Sequence, residues 1–169
     1  MEQVRYETVE LVWNDLLGAD RLHRYYGYLT ERLEKINACL IVIASFCSGG
    51  AFVVFLSDLD PPWNNSVGAL TLITAGLNVW LATKNYSRMV SHSADMHRQL
   101  ARLLREWEEL WADVYTSDDA SVRARWRDLQ QKILAVTEQA ASQVPRIESL
   151  VKKSQEEAYS YRSLRYAQT

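Results

Sequence analysis

Two long uncharged runs dominate this sequence and limit the folds that it can adopt. Residues 36–57 contain no charged side chain, and neither do residues 61–83. A membrane-spanning helix needs about 20 predominantly apolar residues, and both runs reach that length. Buried helices of a water-soluble protein usually carry a charged or strongly polar face, which these runs lack. The sequence therefore predicts two transmembrane helices, at residues 36–57 and 63–83.

The short segment SDLDPPWNNS separates the two runs and collects the residues that stop helices. Pro61 and Pro62 end the first helix and can begin the second. Trp63 suits the level of the lipid headgroups, where tryptophan is enriched. Residues 58–62 are therefore predicted to form the extracytoplasmic turn of a helical hairpin.

The distribution of charge predicts which side of the membrane each end occupies. The turn carries two aspartates and no lysine or arginine. Basic residues flank the other ends of the spans: Arg21, Arg24, Arg32, Lys35, Lys84, Arg88, Arg98, Arg102 and Arg105. Because basic residues near a span mark the cytoplasmic side, both termini are predicted to be cytoplasmic. The first 35 residues are mixed in charge and do not resemble a signal peptide, so both spans are expected in the mature protein.

The flanking segments are predicted to be helical, which makes the expected fold an all-α membrane protein. Residues 1–35 form an amphipathic helix, residues 84–116 continue the second span, and residues 117–169 form further helices that begin after the capping segment TSDDAS. A near-heptad stripe on the continuation is expected to pack against another helix or another copy of the chain. Its members are Leu100, Leu103, Trp107, Leu110 and Trp111. The long extensions are thus predicted to form a cytoplasmic helical bundle.

Two flanking segments, LHRYYGYLTERLE and MHRQLARLLREWE, share a His-Arg pair and a leucine that precedes glutamate. Two amphipathic helices of similar composition match this well by chance, and the pattern does not establish a repeat.

Enzymatic chemistry is not indicated, and no cofactor, metal or catalytic residue is predicted. The sequence has no Gly-rich phosphate loop, no Cys-x-x-Cys and no His-Glu-x-x-His. His92 and His97 are five residues apart and fall on different helix faces, which disfavours a shared metal site. The formal net charge of −2 gives no general attraction for nucleic acid.

Polar residues inside the predicted spans allow two interpretations. The residues concerned are Ser45, Ser48, Thr71, Thr74, Asn78 and Asn85. They either form hydrogen bonds between packed helices or line a water-filled path. Two spans cannot enclose a pore, so the second interpretation requires a homo-oligomer, with four or more copies expected.

The arrangement resembles the SLATT family, the SMODS- and SLOG-associating two-transmembrane effectors of bacterial antiphage defence. The resemblance rests on WNDLLGADRLHRYYGYLTERLE before the first span, the Pro-Trp turn, and NYSRMVSHSADMHRQLARLLREWEELW after the second span. It implies an oligomeric pore or ion channel in the bacterial inner membrane. It also implies control by a nucleotide messenger, made by a partner nucleotidyltransferase, or by a partner protein. The alternative is a membrane-anchored scaffold or regulatory subunit that binds a partner through the heptad helix.

A nucleotide would require cations for phosphate and flat rings for bases. Two clusters offer both: the run RARWR and the end of the chain. The candidates are Arg123, Arg125, Trp126, Arg127, Arg162, Arg165 and Tyr166. Arginine on such helices more often meets solvent or anionic lipid, and Trp126 also suits a packed bundle.

Overall fold

The chain is all-helical over the residues that the structure describes. A computed structural model describes residues 4–48, 76, 86–141 and 144–166, without the side chains of residues 44–48 and 139–141. Within these ranges the helices are α1 (Tyr6–Ser48), α2 (Tyr86–Asp113), α3 (Asp119–Ala141) and α4 (Glu148–Tyr166), and there is no strand. The predicted all-α class is confirmed.

The connections between the last three helices follow from local sequence chemistry. Asp118 caps α3, since its carboxylate accepts a hydrogen bond from the Ser121 N–H at 2.9 Å. A short linker joins α3 to α4 and contains Pro145, which cannot donate a backbone hydrogen bond. The hydroxyl of Tyr25 holds this linker, donating to the Pro145 carbonyl at 3.0 Å and accepting from the Ile147 N–H at 3.1 Å. The start of α4 is therefore anchored to α1.

The chain divides into two compact units, Met1–Glu31 with Ser91–Thr169, and Arg32–Val90. The first unit, which we call the bundle, contains a hydrophobic core contributed by α1, α2, the residue that follows α2, and α3. Its buried members are Val12, Leu16, Ala19, Leu103, Trp107, Leu110, Val114, Val122 and Leu129. Each fully buried leucine or valine contributes about 1.5–3 kcal/mol relative to an exposed one. The core thus accounts for the apolar stripes on these three helices.

The second unit includes the end of α1, where apolar side chains face outward. Ile41, Val42 and Ile43 are 56%, 64% and 43% exposed. In the part of the chain that the structure describes, no helix combines the length and apolar character that a membrane crossing requires. The predicted turn at 58–62 lies outside the described residues, as do residues 49–57 of the first predicted span and all of the second except Gly76.

Candidate functional site

A buried arginine connects three helices of the bundle. Arg162 of α4 is 1% exposed, although arginine is rarely buried without partners. Its Nε donates to Asp20 Oδ2 of α1 at 2.8 Å, and its Nη1 lies 2.7 Å from Glu108 Oε1 of α2. We call Asp20, Glu108 and Arg162 the charge triad. Because each partner comes from a different helix, the triad fixes the relative positions of α1, α2 and α4.

Two further arginines surround the charge triad. Arg24 Nε donates to the second oxygen of Asp20 at 3.0 Å, and Arg165 Nη1 lies 3.5 Å from Glu108 Oε1. The Tyr161 ring lies close to the guanidinium carbons of Arg24, Arg162 and Arg165, at 5.0, 5.5 and 6.0 Å from its centroid. Such distances allow cation–π attraction, which offsets some of the repulsion among the three cations.

The electrostatics of the charge triad keep Arg162 charged. Burial alone lowers the pKa of its guanidinium, but hydrogen bonds to Asp20 and Glu108 outweigh burial, so the pKa lies above its ordinary value. Removing one partner of such a buried pair leaves an uncompensated charge, which costs about 3–5 kcal/mol. The triad therefore acts as a structural lock on the closed bundle.

The residues predicted at the end of the chain do not form an open ligand site. Arg162 is buried in the charge triad, and Arg165 is paired with Glu108. The Tyr166 ring packs edge to face against Trp13, with centroids 5.3 Å apart, and against Trp111 at 5.8 Å. In this conformation these side chains bind one another and the neighbouring helices.

The side chains of the predicted run RARWR do not form one cluster either, because consecutive residues on a helix point about 100° apart. Arg123 Nε lies 3.0 Å from Asp119 Oδ2, and Arg125 Nη1 lies 2.9 Å from Asp113 Oδ2. Trp126 instead donates its indole N–H to Asp15 of α1 at 2.7 Å.

Arg127 is exposed and has no ion-pair partner within the described ranges. The structure does not bring the RARWR run together with the arginines of α4.

The predicted packing stripe lies inside the bundle of a single chain. Leu100, Leu103, Trp107 and Leu110 are buried, and the ring of Trp111 packs 5.0 Å from that of Trp13. Packing within the chain accounts for all five residues of the stripe. The Trp107 indole N–H is buried and lacks a hydrogen-bond partner among the described residues.

The polar residues predicted to line a pore or join the spans lie outside the described side chains. Ser45 and Ser48 belong to the last turns of α1, where only the backbone is described. Thr71, Thr74, Asn78 and Asn85 lie beyond the described ranges.

The two His-Arg segments noted in the sequence meet where α1 and α2 pack closely. The rings of His23 and His97 stack with centroids 4.3 Å apart and planes 16° from parallel. Gly27 makes room for this pair, since a Cβ atom there would lie 3.1 Å from His97 Cε1. Burial first, and the nearby His97 second, lower the pKa of His23.

Asp20 and Glu108 were not predicted from the sequence, although the position of Asp20 on its helix indicates its burial. Asp20 follows Leu16 by four residues and so falls on the buried face of α1. Likewise Ser154, Ala158 and Arg162 are spaced by four and are all buried. A charged residue on an otherwise buried stripe indicates a buried ion pair, but not its partner.

The chemistry of the charge triad is that of helix association. Within the described residues, no cluster of three or more histidine, cysteine or acidic side chains is placed to hold a metal ion.

No family model matches the chain, and neither a curated protein nor a solved structure shows significant similarity to it.

Proposed function

We propose that this protein is an oligomeric membrane effector that opens a pore or ion channel when its helical bundle rearranges. The setting that we propose, from the resemblance to the SLATT family, is bacterial antiphage defence in the inner membrane. Two spans would form a hairpin with both termini in the cytoplasm. A nucleotide messenger or a partner protein would control the bundle.

One observation carries the membrane part of the proposal. Ile41, Val42 and Ile43 follow one another in α1, and each is about half exposed. Consecutive helical residues point about 100° apart, so these three side chains and the preceding Leu40 together span about 300° of the helix circumference. A helix that is apolar all round is expected in lipid or in a protein core. The charge-free run continues through residue 57, which supports lipid as the environment.

The charge triad supports control through the bundle. It fixes α4 to α1, and α1 runs on to Ser48, within the first charge-free run. Four of the five arginines predicted to contact a nucleotide are already paired with carboxylates, and Arg127 is the exception. A nucleotide that displaced the contacts of Arg162 would release α4 from α1 and α2, which provides a physical means of activation.

The alternative scaffold requires an exposed heptad stripe. Leu103, Trp107 and Leu110 are buried within the bundle and cannot bind a partner while it is closed. We therefore favour the pore over the scaffold.

The test is potassium flux through proteoliposomes that contain the full-length protein, its Asn78→Leu variant or its Thr83→Leu variant. Asn78 belongs to the polar stripe of the second predicted span, and Thr83 lies off that stripe. We expect Asn78→Leu to change the flux at least tenfold without changing the subunit number in native mass spectrometry. Thr83→Leu should leave both unchanged. A wild-type protein that is monomeric or dimeric, or equal flux in all three samples, would exclude the pore.

A further inference from the structure

Two neighbouring cavities lie along one face of α1, and Arg21 lines both. The first cavity, about 290 Å³, is lined chiefly by Arg21, Leu22, Tyr25, Tyr26, Arg146 and Val151. The second, about 320 Å³, is lined chiefly by Arg21, Asn14, Asp15, Gly18, Gln155 and Tyr159. Residues of α1 form one side of both cavities. The other side is formed by α4 in the second cavity, and by Val151 of α4 together with Thr137 of α3 and the linker residues Val144 and Arg146 in the first. We call the pair the α1–α4 groove.

The two compartments of the groove differ in chemistry. The first is bounded by aromatic and aliphatic side chains: Tyr25 and Tyr26 pack edge to face with centroids 5.2 Å apart, beside Leu22 and Val151. Burial raises the pKa of the Tyr26 hydroxyl, so it remains neutral at physiological pH. The second compartment has amide, carboxylate and phenol groups beside the apolar Leu17 and Ala158, so it is more polar than the first. One end of the groove thus suits a flat apolar group, and the other suits a polar one.

Arg21 supplies a positive charge where the compartments meet. It is exposed and has no hydrogen bond or ion pair with any residue that the structure describes. Arg146 brings a second guanidinium to the first compartment, where its Nε lies 2.9 Å from Glu148 Oε1 at an exposed position. An exposed pair of this kind contributes little energy and yields readily to a stronger anion.

The carboxylates on the same part of α1 are already engaged. Asp15 accepts hydrogen bonds from Trp126 Nε1 at 2.7 Å and from Gln130 Nε2 at 2.9 Å. Asp20 is neutralised by Arg24 and Arg162. Arg21 therefore differs from Arg24, Arg123, Arg125, Arg162 and Arg165, each of which pairs with a carboxylate.

We propose that the α1–α4 groove binds a small organic anion that has a flat, apolar body. Its acidic group lies at Arg21, supported by Arg146, and its ring lies against Tyr25 and Tyr26 in the first compartment. Polar substituents occupy the second compartment. This site is a property of the bundle alone and does not depend on whether the chain forms a pore.

Occupation of the groove would stabilise the closed bundle. The ligand contacts α1, α4 and the linker between α3 and α4, which Tyr25 already anchors through Pro145 and Ile147. A ligand that binds only the folded state raises stability as its concentration exceeds its Kd.

The binding test uses isothermal titration calorimetry of the full-length protein in lipid nanodiscs with five probes. Phenyl phosphate and adenosine 5′-monophosphate carry both a ring and an acidic group. Inorganic phosphate and sn-glycerol 3-phosphate carry only the acidic group, and adenosine carries only the ring. We expect the two aromatic phosphates to bind with one site per chain and at least tenfold more tightly than any of these controls. Binding of inorganic phosphate or sn-glycerol 3-phosphate as tight as that of phenyl phosphate would exclude the ring compartment. Failure of both aromatic phosphates to bind at millimolar concentration would overturn the proposal.

Arginine variants identify the groove as the place of binding. Arg21→Gln should weaken phenyl phosphate at least tenfold, and Arg21→Lys should recover part of that loss because it keeps the charge. Arg102→Gln is the matched control, since Arg102 is also exposed and unpaired within the described part of the chain but lies outside the groove. Helicity measured by circular dichroism confirms that each variant is folded. Equal weakening by Arg21→Gln and Arg102→Gln would contradict the proposal.

Discussion

At the scale of single residues, the bundle depends most on Arg162. Replacing Arg162 with methionine keeps much of the side-chain length but leaves Asp20 and Glu108 without their shared cation. We expect the free energy of unfolding of the bundle to fall by about 3–5 kcal/mol. Urea unfolding of the full-length protein in nanodiscs, followed by the fluorescence of the bundle tryptophans, measures this loss.

Arg127→Met serves as the control for this prediction. Arg127 is exposed and lacks an ion-pair partner in the described ranges, so its replacement should change stability by no more than about 0.5 kcal/mol. If the two variants unfold at the same urea concentration, the charge triad does not stabilise the bundle.

From the stacked histidines we expect the free energy of unfolding of the bundle to fall in mild acid. His23 has a pKa below its ordinary value of 6.5, chiefly through burial. His97 and the cations of Arg24 and Arg162 also lower the pKa, and Asp20 opposes them. Above pH 6.5 the ring is neutral in both states, whereas below that pH the unfolded chain gains a proton that the folded chain resists.

We therefore expect the free energy of unfolding to decrease from pH 6.5 down to the folded pKa of His23. Replacing His23 with glutamine should flatten this part of the pH profile. The check is chemical unfolding at closely spaced pH values for both proteins. An unchanged slope in His23→Gln would show that another group titrates.

At the scale of elements, the linker between α3 and α4 depends on one phenol. Tyr25→Phe removes the hydrogen bonds to Pro145 and Ile147 and leaves those backbone groups without this partner. Because these linker groups are only partly buried, a loss of about 0.5–1.5 kcal/mol in the free energy of unfolding is expected. Amide hydrogen exchange should speed up at the start of α4 and stay constant in the middle of α2.

Tyr26→Phe is the matched control, because the hydroxyl of Tyr26 makes no hydrogen bond to any residue that the structure describes. Similar exchange in both variants would mean that the linker is held by packing alone.

The elements also show how far sequence reasoning reaches. Helix periodicity and turn chemistry predict the all-α class, because both are local properties of the chain. The charge triad was not predicted, because Asp20 and Arg162 are 142 residues apart and each pattern is local to its helix. The α1–α4 groove was missed for the same reason: nothing in the sequence pairs Tyr25 or Arg21 with Arg146.

At the scale of the whole molecule, the proposed topology predicts opposite accessibility for the turn and the bundle. In a background with Cys39→Ala and Cys47→Ala, single cysteines replace Asp60 in the predicted turn or Ala124 on the exposed surface of α3. A membrane-impermeant thiol reagent should label Asp60→Cys when added from outside spheroplasts of intact inner membrane. Ala124→Cys should react only after the membrane is permeabilised. Labelling of both, or of Ala124→Cys alone, in intact spheroplasts would reject a hairpin with cytoplasmic termini.

Because Asp20 and Arg162 are 142 residues apart, the ribosome makes Asp20 well before the arginine that binds it. Ribosomes add about 5–20 residues per second, so about 7–28 seconds pass between the two positions. Throughout that interval Asp20 has no arginine from α4, because α4 is synthesised after α1, α2 and α3. Both uncharged runs leave the ribosome before α4, so under the proposed topology the nascent chain has time to enter a bilayer before its bundle closes. Closure must then wait for the synthesis of α4, and a ribosome that stops short of α4 releases a product without its lock.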